Sequence, residues 1–356
     1  MSNITLLAVD LAKNIFQLHG IDAKGKAILK KKIKSREQFV EFIAKLKPCD
    51  IYMEACGSSN YWGRKFIKFG HNVKLINPKY VKPFVKRNKN DANDAEAIAT
   101  AAEAHNMSFC NVKTEEHQDI QSTHRIRSLL VERRTALANQ IRGLLAEYGV
   151  VMAKGNAKVR RMLPEILGSN PYDMSALMLS NIDVLYNEFL HLDKQIDIYN
   201  KRIEEIFKGN ETCQKLATIP GVGVLGATIL ASILASGSSF KNGRHFAAFL
   251  GLTPKQHSSG GKENLLGISK GGDTYTRTLL IHGGRAALLW VSKKTDKRSI
   301  WAKNLVMRAG KNKTAVALAN KIARTAWALV HENTEYDPNH KPVIRNKPKA
   351  KVSKAA

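Results

Sequence analysis

Four acidic residues in the first third of the chain have the types and spacing that metal-dependent phosphodiester chemistry needs. Asp10 and Glu54 each close an apolar run that reads as a buried strand, ITLLAVD and CDIYMEA. Asp91 and Asp94 lie three residues apart at the start of an Ala-rich helical segment, so they would face the same way. Carboxylate oxygens of this kind bind Mg²⁺, which activates a hydroxyl and stabilises the leaving oxygen. We therefore predict a site for one or two Mg²⁺ ions.

Each of these acids also has a structural explanation. Asp91 is a suitable helix N-cap, and Asp94 would favour the dipole of the same helix. Asp10 and Glu54 are harder to explain in this way, because packing does not need a carboxylate at the end of an apolar strand. Taken as a set of four within a basic segment, the acids favour the metal hypothesis.

The overall charge indicates the kind of partner. The 356 residues include 57 Lys and Arg against 30 Asp and Glu, a net charge of +27, yet 44% are hydrophobic. This composition excludes a disordered basic tail as the whole protein and favours a polyanion, nucleic acid rather than membrane. Four cysteines without a CxxC pair argue against a disulfide framework or a zinc knuckle. The start of the chain has no secretory signal, so we expect a cytoplasmic protein.

The charge is unevenly distributed, and its distribution predicts the domains. Residues 1–110 carry +9, residues 111–211 carry zero and residues 212–331 carry +15. We predict an α/β catalytic domain over 1–110, a helical oligomerisation region over 111–211 and a mainly α-helical domain over 212–335. The remaining residues, 336–356, form a basic tail that we expect to be disordered. In the first domain three strands, a helix and further strand–helix units predict a mixed sheet.

The neutral region predicts a coiled coil. From Ile182 to Ile206 apolar residues alternate spacings of three and four, with charged residues between them. A looser apolar stripe from Ile126 to Tyr148 predicts a partner helix. The two helices would form an antiparallel hairpin within one chain or pair with a second protomer. The strict heptad favours self-association, as a dimer or a dimer of dimers.

The third region opens on an uncharged run from Leu216 to Phe240. Pro220, Gly221 and Gly223 interrupt it, so we interpret it as helix, turn, helix rather than a membrane span. In a helix-hairpin-helix the two glycines would let backbone N–H groups approach a phosphate. A tight turn between two core helices explains the same residues equally well.

Six motifs together resemble a known family. VDLAKN, MEACGSSNYW, INP before a basic segment, KNDANDAEAIA, IPGVG and FAAFLGLTP are similar to the DEDD insertion-sequence transposases, which include Piv-type invertases and bridge-RNA-guided recombinases. The resemblance implies an RNase H-like, resolvase-like first domain and places the family's four acids on Asp10, Glu54, Asp91 and Asp94. It also implies a nucleophilic serine a few residues after GLTP, which falls on Ser259, with Ser258 adjacent. A member of this family would be a nucleoid-associated protein of a bacterium or archaeon.

The resemblance implies a transposase or site-specific recombinase that works through a covalent phosphoserine, its serine acting beside the Mg²⁺-binding acids. The residues leave two alternatives open. A resolvase-type nuclease would use only the four acids and leaves the serine loop unexplained. An architectural nucleic-acid-binding protein would use the acids as caps and the coiled coil as a dimer contact.

Runs of basic residues without matching acids predict the nucleic-acid-binding surfaces. The partners would be double-stranded donor and target DNA and, as the resemblance implies, a structured guide RNA. Tyr61, Trp62, Tyr80 and Phe84 are candidates for stacking on unpaired bases. Together with Gly221 and Gly223, the candidate contacts are Lys30, Lys31, Lys32, Lys82, Lys86, Arg87, Lys293, Lys294 and Arg298.

Overall fold

The computed structural model describes residues 3–85, 91–234 and 240–340, and the chain divides into two compact units. The first comprises residues 1–214 with 227–241, and the second comprises residues 215–226 with 242–356. Residues 227–241, which the charge pattern assigns to the domain of residues 212–335, pack with the first unit. The sheet and helices before residue 112 are β1 (Leu6–Leu11), β2 (Phe16–Ile21), β3 (Ala27–Ile33), α1 (Arg36–Ala44), β4 (Asp50–Glu54), α2 (Ser59–Lys68), β5 (Asn72–Ile76), α3 (Pro78–Val81), α4 (Asp91–Glu103) and β6 (Phe109–Asn111).

These strands form one mixed sheet of order β3-β2-β1-β4-β5-β6. Strand β2 is antiparallel to both β1 and β3, whereas β1, β4 and β5 run parallel, and β6 is antiparallel to β5. The predicted mixed α/β class is confirmed, and the topology is compatible with an RNase H-like fold. The strand β6 was not predicted, because three residues are too few to show an alternating pattern.

The two faces of the sheet pack against different helices. Val9 and Met53 belong to an apolar cluster that includes Phe39 of α1 and Trp62 of α2. Ala8 and Tyr52 belong to a second cluster that includes residues of α4. Side chains alternate along a strand, so Asp10 and Glu54 lie on the α4 face.

An aromatic cluster fills the face opposite α4. The rings of Phe16 and Phe39 stack with centroids 4.1 Å apart, and Trp62 meets both edge-on. Trp62 is 1% exposed. The prediction that Trp62 stacks on nucleic-acid bases is therefore wrong, since the ring is part of the core.

The rest of the first unit is helical, and its two longest helices are antiparallel. Its helices are α5 (Glu115–Ala146), α6 (Asn156–Ser169), α7 (Ala176–Lys208), α8 (Glu211–Ala217) and α9 (Val224–Leu234). The last turn of α8 and the first turn of α9 belong to the second unit. The Arg127 side chain donates to Asn200 and the Arg134 side chain to Asp193, so α5 and α7 run in opposite directions. The predicted seam of α7 is buried at Ile182, Phe189, Leu192, Ile196 and Ile203.

Helices α5 and α7 form a hairpin within one chain, which is one of the two arrangements predicted for this region. The apolar stripe on α5 agrees with the predicted one at Ile141, which is buried, but Ala138 and Leu145 are buried as well and Ile126 is exposed. Asp193 stabilises the hairpin, because its carboxylate accepts hydrogen bonds from Arg134 at 2.5 Å and from Arg160 of α6 at 2.6 Å. Burial alone would raise the pKa of Asp193, but the hydrogen bonds from Arg160 and Arg134 outweigh it and lower that pKa.

The second unit is a helical bundle that carries one β-hairpin. Its further elements are α10 (Gly243–Phe249), β7 (Pro254–Gln256), β8 (Leu265–Ile268), α11 (Thr274–Val291), α12 (Lys297–Ala309) and α13 (Lys311–His331). Helix α11 packs on α13 at Gly284, where a Cβ atom would lie 2.4 Å from the carbonyl oxygen of Ala315. The absence of a side chain there lets the two helix backbones approach closely. Within the described ranges no helix has the length and apolar character needed to cross a membrane.

Candidate catalytic residues and nucleic-acid interface

Three of the four predicted acids lie near one another on the α4 face of the sheet. The strands β1 and β4 are parallel with Val9 opposite Met53, so Asp10 and Glu54 follow at adjacent strand ends. Helix α4 packs against both strands and carries Asp94. Burial, followed by the charges of Asp10 and Asp94, raises the pKa of Glu54. The fold therefore gathers three carboxylates whose like charges repel.

Asp91 begins α4, but its side chain lies outside the part of the chain that is described. Among the described side chains no three His, Cys, Asp or Glu residues form a ready-made metal cage. The donor set nonetheless fits Mg²⁺, which prefers carboxylate oxygens, often binds through only one or two of them and keeps several waters. A cation at this place would also relieve the repulsion that raises the pKa of Glu54.

Cys56 lies beside the acids, and sequence patterns did not identify it. Burial raises the pKa of its thiol, and the charges of Glu54 and Asp10 raise it further. A raised pKa makes the thiol a weaker nucleophile than an ordinary cysteine, because less of it is present as thiolate. In the sequence, the one feature that could have identified Cys56 is its position two residues after Glu54.

The three consecutive lysines of β3 have three different surroundings. Lys30 pairs with Glu96 of α4 at 3.6 Å, and the ammonium group of Lys31 lies 4.5 Å from the ring centre of Phe42 on the opposite face. Lys32 forms no ion pair with any described residue. The strand register places Lys32 opposite Gln17, and Gln17 opposite Asp10. Lys32 is therefore the lysine of this group that extends the row of side chains containing Asp10.

The predicted serine loop is a β-hairpin. Strands β7 and β8 are antiparallel, and the amide of Lys262 donates to the carbonyl of Ser259 at 3.1 Å across the turn. The two residues between them, Gly260 and Gly261, have φ angles of 55° and 77°. Two successive positive φ angles are the requirement of a type I′ hairpin turn, which explains the paired glycines.

The two serines at this turn differ in how their hydroxyl groups are used. The Ser258 Oγ accepts from the Gln256 side chain at 2.9 Å and from the Asn264 amide at 3.3 Å. The Ser259 Oγ makes no hydrogen bond to any described residue, and Ser259 is exposed. Ser258 thus holds the hairpin together, whereas the Ser259 hydroxyl is accessible to a substrate.

Two acids of the second unit cap helices. Asp273 caps α11 by accepting from the Tyr275 amide at 3.0 Å, and Asp296 caps α12 by accepting from the Ser299 amide at 3.0 Å. Glu263 lies exposed in the hairpin. Two of the three acids between residues 212 and 331 are therefore committed to helix ends.

The IPGVG segment forms the predicted turn between α8 and α9, but its two interrupting glycines differ. Gly221 has φ 96°, and a Cβ atom there would lie 2.5 Å from the carbonyl oxygen of Gly283 in α11. This close approach accounts for Gly221 by packing alone. Gly223 is exposed, and a Cβ atom there would meet nothing within 4 Å.

The other predicted contacts are partly accessible. Lys82 is exposed between Tyr80 and Phe84, which are 48% and 37% exposed. Lys86 and Arg87 lie outside the described residues. In the second unit Lys293 and Lys294 are exposed. The Arg298 guanidinium donates to the carbonyl of Pro220 at 3.0 Å and to the Tyr336 hydroxyl at 3.3 Å, so it also supports the fold.

A mixed sheet that gathers acids at adjacent strand ends, with a strongly basic helical unit, is typical of enzymes that cut or join nucleic acid. Comparison with known proteins narrows this class. Residues 7–150 match the DEDD family model of IS110 transposases, and residues 213–299 match the model described as "Transposase IS116/IS110/IS902 family".

Similar proteins span nearly the whole chain. The transposase for insertion sequence element IS1111A of Coxiella burnetii is 48% identical over 336 residues, which are 94% of this chain and 92% of that protein. A probable family 20 transposase of Pseudomonas aeruginosa is 43% identical over 94% of this chain and 99% of its own length. The pilin gene-inverting protein of Moraxella lacunata is 24% identical over 81% of each chain. The chain belongs to the IS116/IS110/IS902 family of insertion-sequence transposases, and it is an enzyme that acts on DNA.

Proposed function

We propose that the protein joins DNA strands through Ser259 and that the acids Asp10, Glu54, Asp91 and Asp94 bind one or two Mg²⁺ ions for this reaction. The observation that carries the proposal is the exposed Ser259 hydroxyl, which no described residue engages, next to a Ser258 hydroxyl that the hairpin uses. A bound Mg²⁺ would lower the pKa of a coordinated hydroxyl and neutralise charge on the phosphate.

The chemistry proposed for this chain's own residues is a transesterification. The Ser259 Oγ attacks a DNA phosphorus, the bond from phosphorus to one DNA oxygen breaks, and the serine proton is released while that oxygen gains one. The phosphodiester energy is retained in the phosphoserine ester. Attack by a hydroxyl of a second strand on this ester then restores the serine and joins the strands, so no external energy source is needed.

A strand-transfer assay with Mg²⁺ separates this function from the alternatives. DNA carrying the element's ends and a target should give joined products and a covalent protein–DNA adduct. Ser259→Ala should lose both and keep DNA binding, while the matched variant Ser258→Ala should retain measurable joining. Full joining by Ser259→Ala would exclude the serine mechanism. Nicks without joining would instead indicate a resolvase-type nuclease, and a gel shift alone an architectural protein.

The guide RNA is also part of this proposal. Support comes from the exposed Tyr80 and Phe84 flanking Lys82, an arrangement suited to unpaired bases. RNA encoded by the insertion sequence should co-purify with the protein and be required for joining. Full, site-specific joining by RNA-free protein would contradict this part.

We further propose that the protein works as a homo-oligomer, a dimer or a dimer of dimers, through a coiled coil formed by α5 and α7. Both helices carry exposed apolar side chains, with Leu129, Val184 and Ile198 at 48%, 64% and 42% exposure. Sedimentation at several concentrations should show association that Val184→Glu weakens. A monomer at all concentrations would contradict the proposal.

A further inference from the structure

A cavity of about 660 Å³ in the second unit has no role in the chemistry described above. It lies between the turn at Pro220, the end of α11, the start of α12 and the segment around Tyr336. Its volume is within the range of about 300–1,000 Å³ that small-molecule sites occupy. The cavity is therefore large enough for a single nucleotide base.

The wall of this cavity combines apolar and cationic groups. Trp290 is 59% exposed, although it is the largest apolar side chain of the wall. Ala286, Ala287 and Leu318 provide apolar surface beside it. The indole ring of Trp290 is flat, and no aromatic ring of the described residues stacks on it.

Positive charge surrounds the same ring. The Lys293 ammonium lies 5.3 Å from the Trp290 ring centre, and Lys294 and Arg298 line the cavity. Lys294 is exposed, and its ammonium group forms no ion pair within 4.0 Å of a carboxylate of the described residues, although its charge helps to lower the pKa of Asp296. Asp296 is the acid among the described residues of the wall, and its carboxylate accepts from the amide and the hydroxyl of Ser299. An aromatic face beside an exposed cation matches a nucleotide, whose base stacks while its phosphate meets the charge.

Charge also argues against a second copy of this chain as the occupant. Between residues 285 and 324 there are 11 Lys and Arg against Asp296 alone. Two such surfaces would repel each other, whereas a polyanion is attracted to them.

We propose that this cavity binds one unpaired nucleotide, with its base stacked on Trp290 and its phosphate at Lys294. The inference rests on the proposed function, since it supplies a place for a base displaced from a duplex while strands are exchanged. The shared chemistry is an unpaired base with its phosphate, from DNA or from RNA.

The test uses two DNA duplexes that differ at one position, an extrahelical adenine or an abasic nucleotide. Full-length wild-type protein should bind the adenine-bearing duplex about tenfold more tightly by fluorescence anisotropy at one salt concentration, because stacking on an aromatic ring is lost at the abasic site. Trp290→Ala should remove this preference and keep the affinity for the abasic duplex. Trp290→Phe should keep part of the preference. Leu289→Ala is the matched control, since Leu289 is 76% exposed and is not part of the wall.

Each contrary outcome is distinct. Equal binding of both duplexes by wild-type protein, or an undiminished preference in Trp290→Ala, would overturn the nucleotide site and leave the proposed function intact. A change in oligomeric state in Trp290→Ala with an unchanged preference would identify a protein interface instead. Failure to bind either duplex would overturn the proposed function itself. Repeating the comparison with single-stranded DNA and RNA of the same sequence assigns the source of the base.

Discussion

At the residue scale, neighbouring side chains of the same type have different surroundings. Ser258 and Ser259 differ in the hydrogen bonds of their hydroxyl groups, and Lys30, Lys31 and Lys32 differ in the face and partner of their ammonium groups. Strand alternation places Lys31 on the face opposite to Lys30 and Lys32, and Glu96 of α4 pairs with Lys30. These differences determine which member of each group is accessible to a substrate.

The first prediction at this scale concerns Asp10. Asp10→Asn removes one proposed Mg²⁺ ligand, so we expect loss of strand transfer. It also removes a charge that repels Glu54 and raises its pKa, so we expect no fall in Tm. Mg²⁺ should raise the Tm of the wild type, because a ligand that binds only the folded state stabilises it, and should raise that of the variant less. Asp50→Asn, at the other end of the same strand as Glu54, is the control that keeps the Mg²⁺ response. A fall of several degrees in the Tm of Asp10→Asn would assign Asp10 a structural role.

The second prediction compares Lys32 with Lys31. We expect Lys32→Ala to weaken DNA binding by about threefold to tenfold and to reduce the salt slope by about one, as the loss of one phosphate contact does. Lys31→Ala should retain the wild-type Kd, since the ammonium group of Lys31 lies over Phe42. Equal Kd values for the two variants would show that Lys32 has no special position.

The acidic residues could be predicted from sequence, whereas their neighbours could not. A carboxylate at the end of an apolar strand is visible in the sequence because it interrupts a simple pattern, as at Asp10 and Glu54. The partners of Lys30 and Lys31 and the position of Cys56 depend on which elements cross above the strand. That information lies in contacts between distant parts of the chain.

At the element scale, glycines mark places where backbones meet. The turn at Gly221 contacts the backbone of α11 at Gly283. The next residue of α11, Gly284, contacts the backbone of α13 at Ala315. The sequence predicted a turn at IPGVG and left packing and phosphate binding equally open. Only the position of α11 distinguishes the two glycines of this turn.

Alanine substitutions at Gly221 and Gly223 test this distinction. Gly221→Ala would force a positive φ on a residue with a side chain and place its Cβ 2.5 Å from a backbone oxygen. We expect it to lower the free energy of unfolding by about 2 kcal/mol or more. Gly223→Ala should leave stability unchanged in the same thermal unfolding measurement. A stable Gly221→Ala protein with weakened DNA binding would instead support the phosphate-binding interpretation.

The serine hairpin shows a further limit of sequence patterns. Its strands are short and exposed, so they lack the alternation of apolar and polar residues that identifies a strand. The Gly-Gly pair was visible, but without flanking strands it indicated only a loop. By contrast, the strict heptad of α7 predicted its buried seam correctly, because five of its positions are covered within the chain.

At the scale of the whole molecule, the net charge of +27 should dominate the affinity for DNA. If six to ten phosphates are contacted, the affinity should fall by roughly 10³–10⁵ between 50 and 200 mM salt. Titrations of one duplex across this range measure the slope directly. A flat response would mean that the basic residues of both units are solvated surface rather than a binding surface.

The central claim, that Ser259 forms a covalent bond to DNA, has a direct measurement. Wild-type protein is incubated with Mg²⁺ and DNA carrying the element's ends, denatured and digested, and the nucleotide-bearing peptide is sequenced by mass spectrometry. We predict a phosphoester on Ser259 that is absent from Ser259→Ala and present in Ser258→Ala. An adduct on Ser258, or joined DNA formed by Ser259→Ala, would contradict the account.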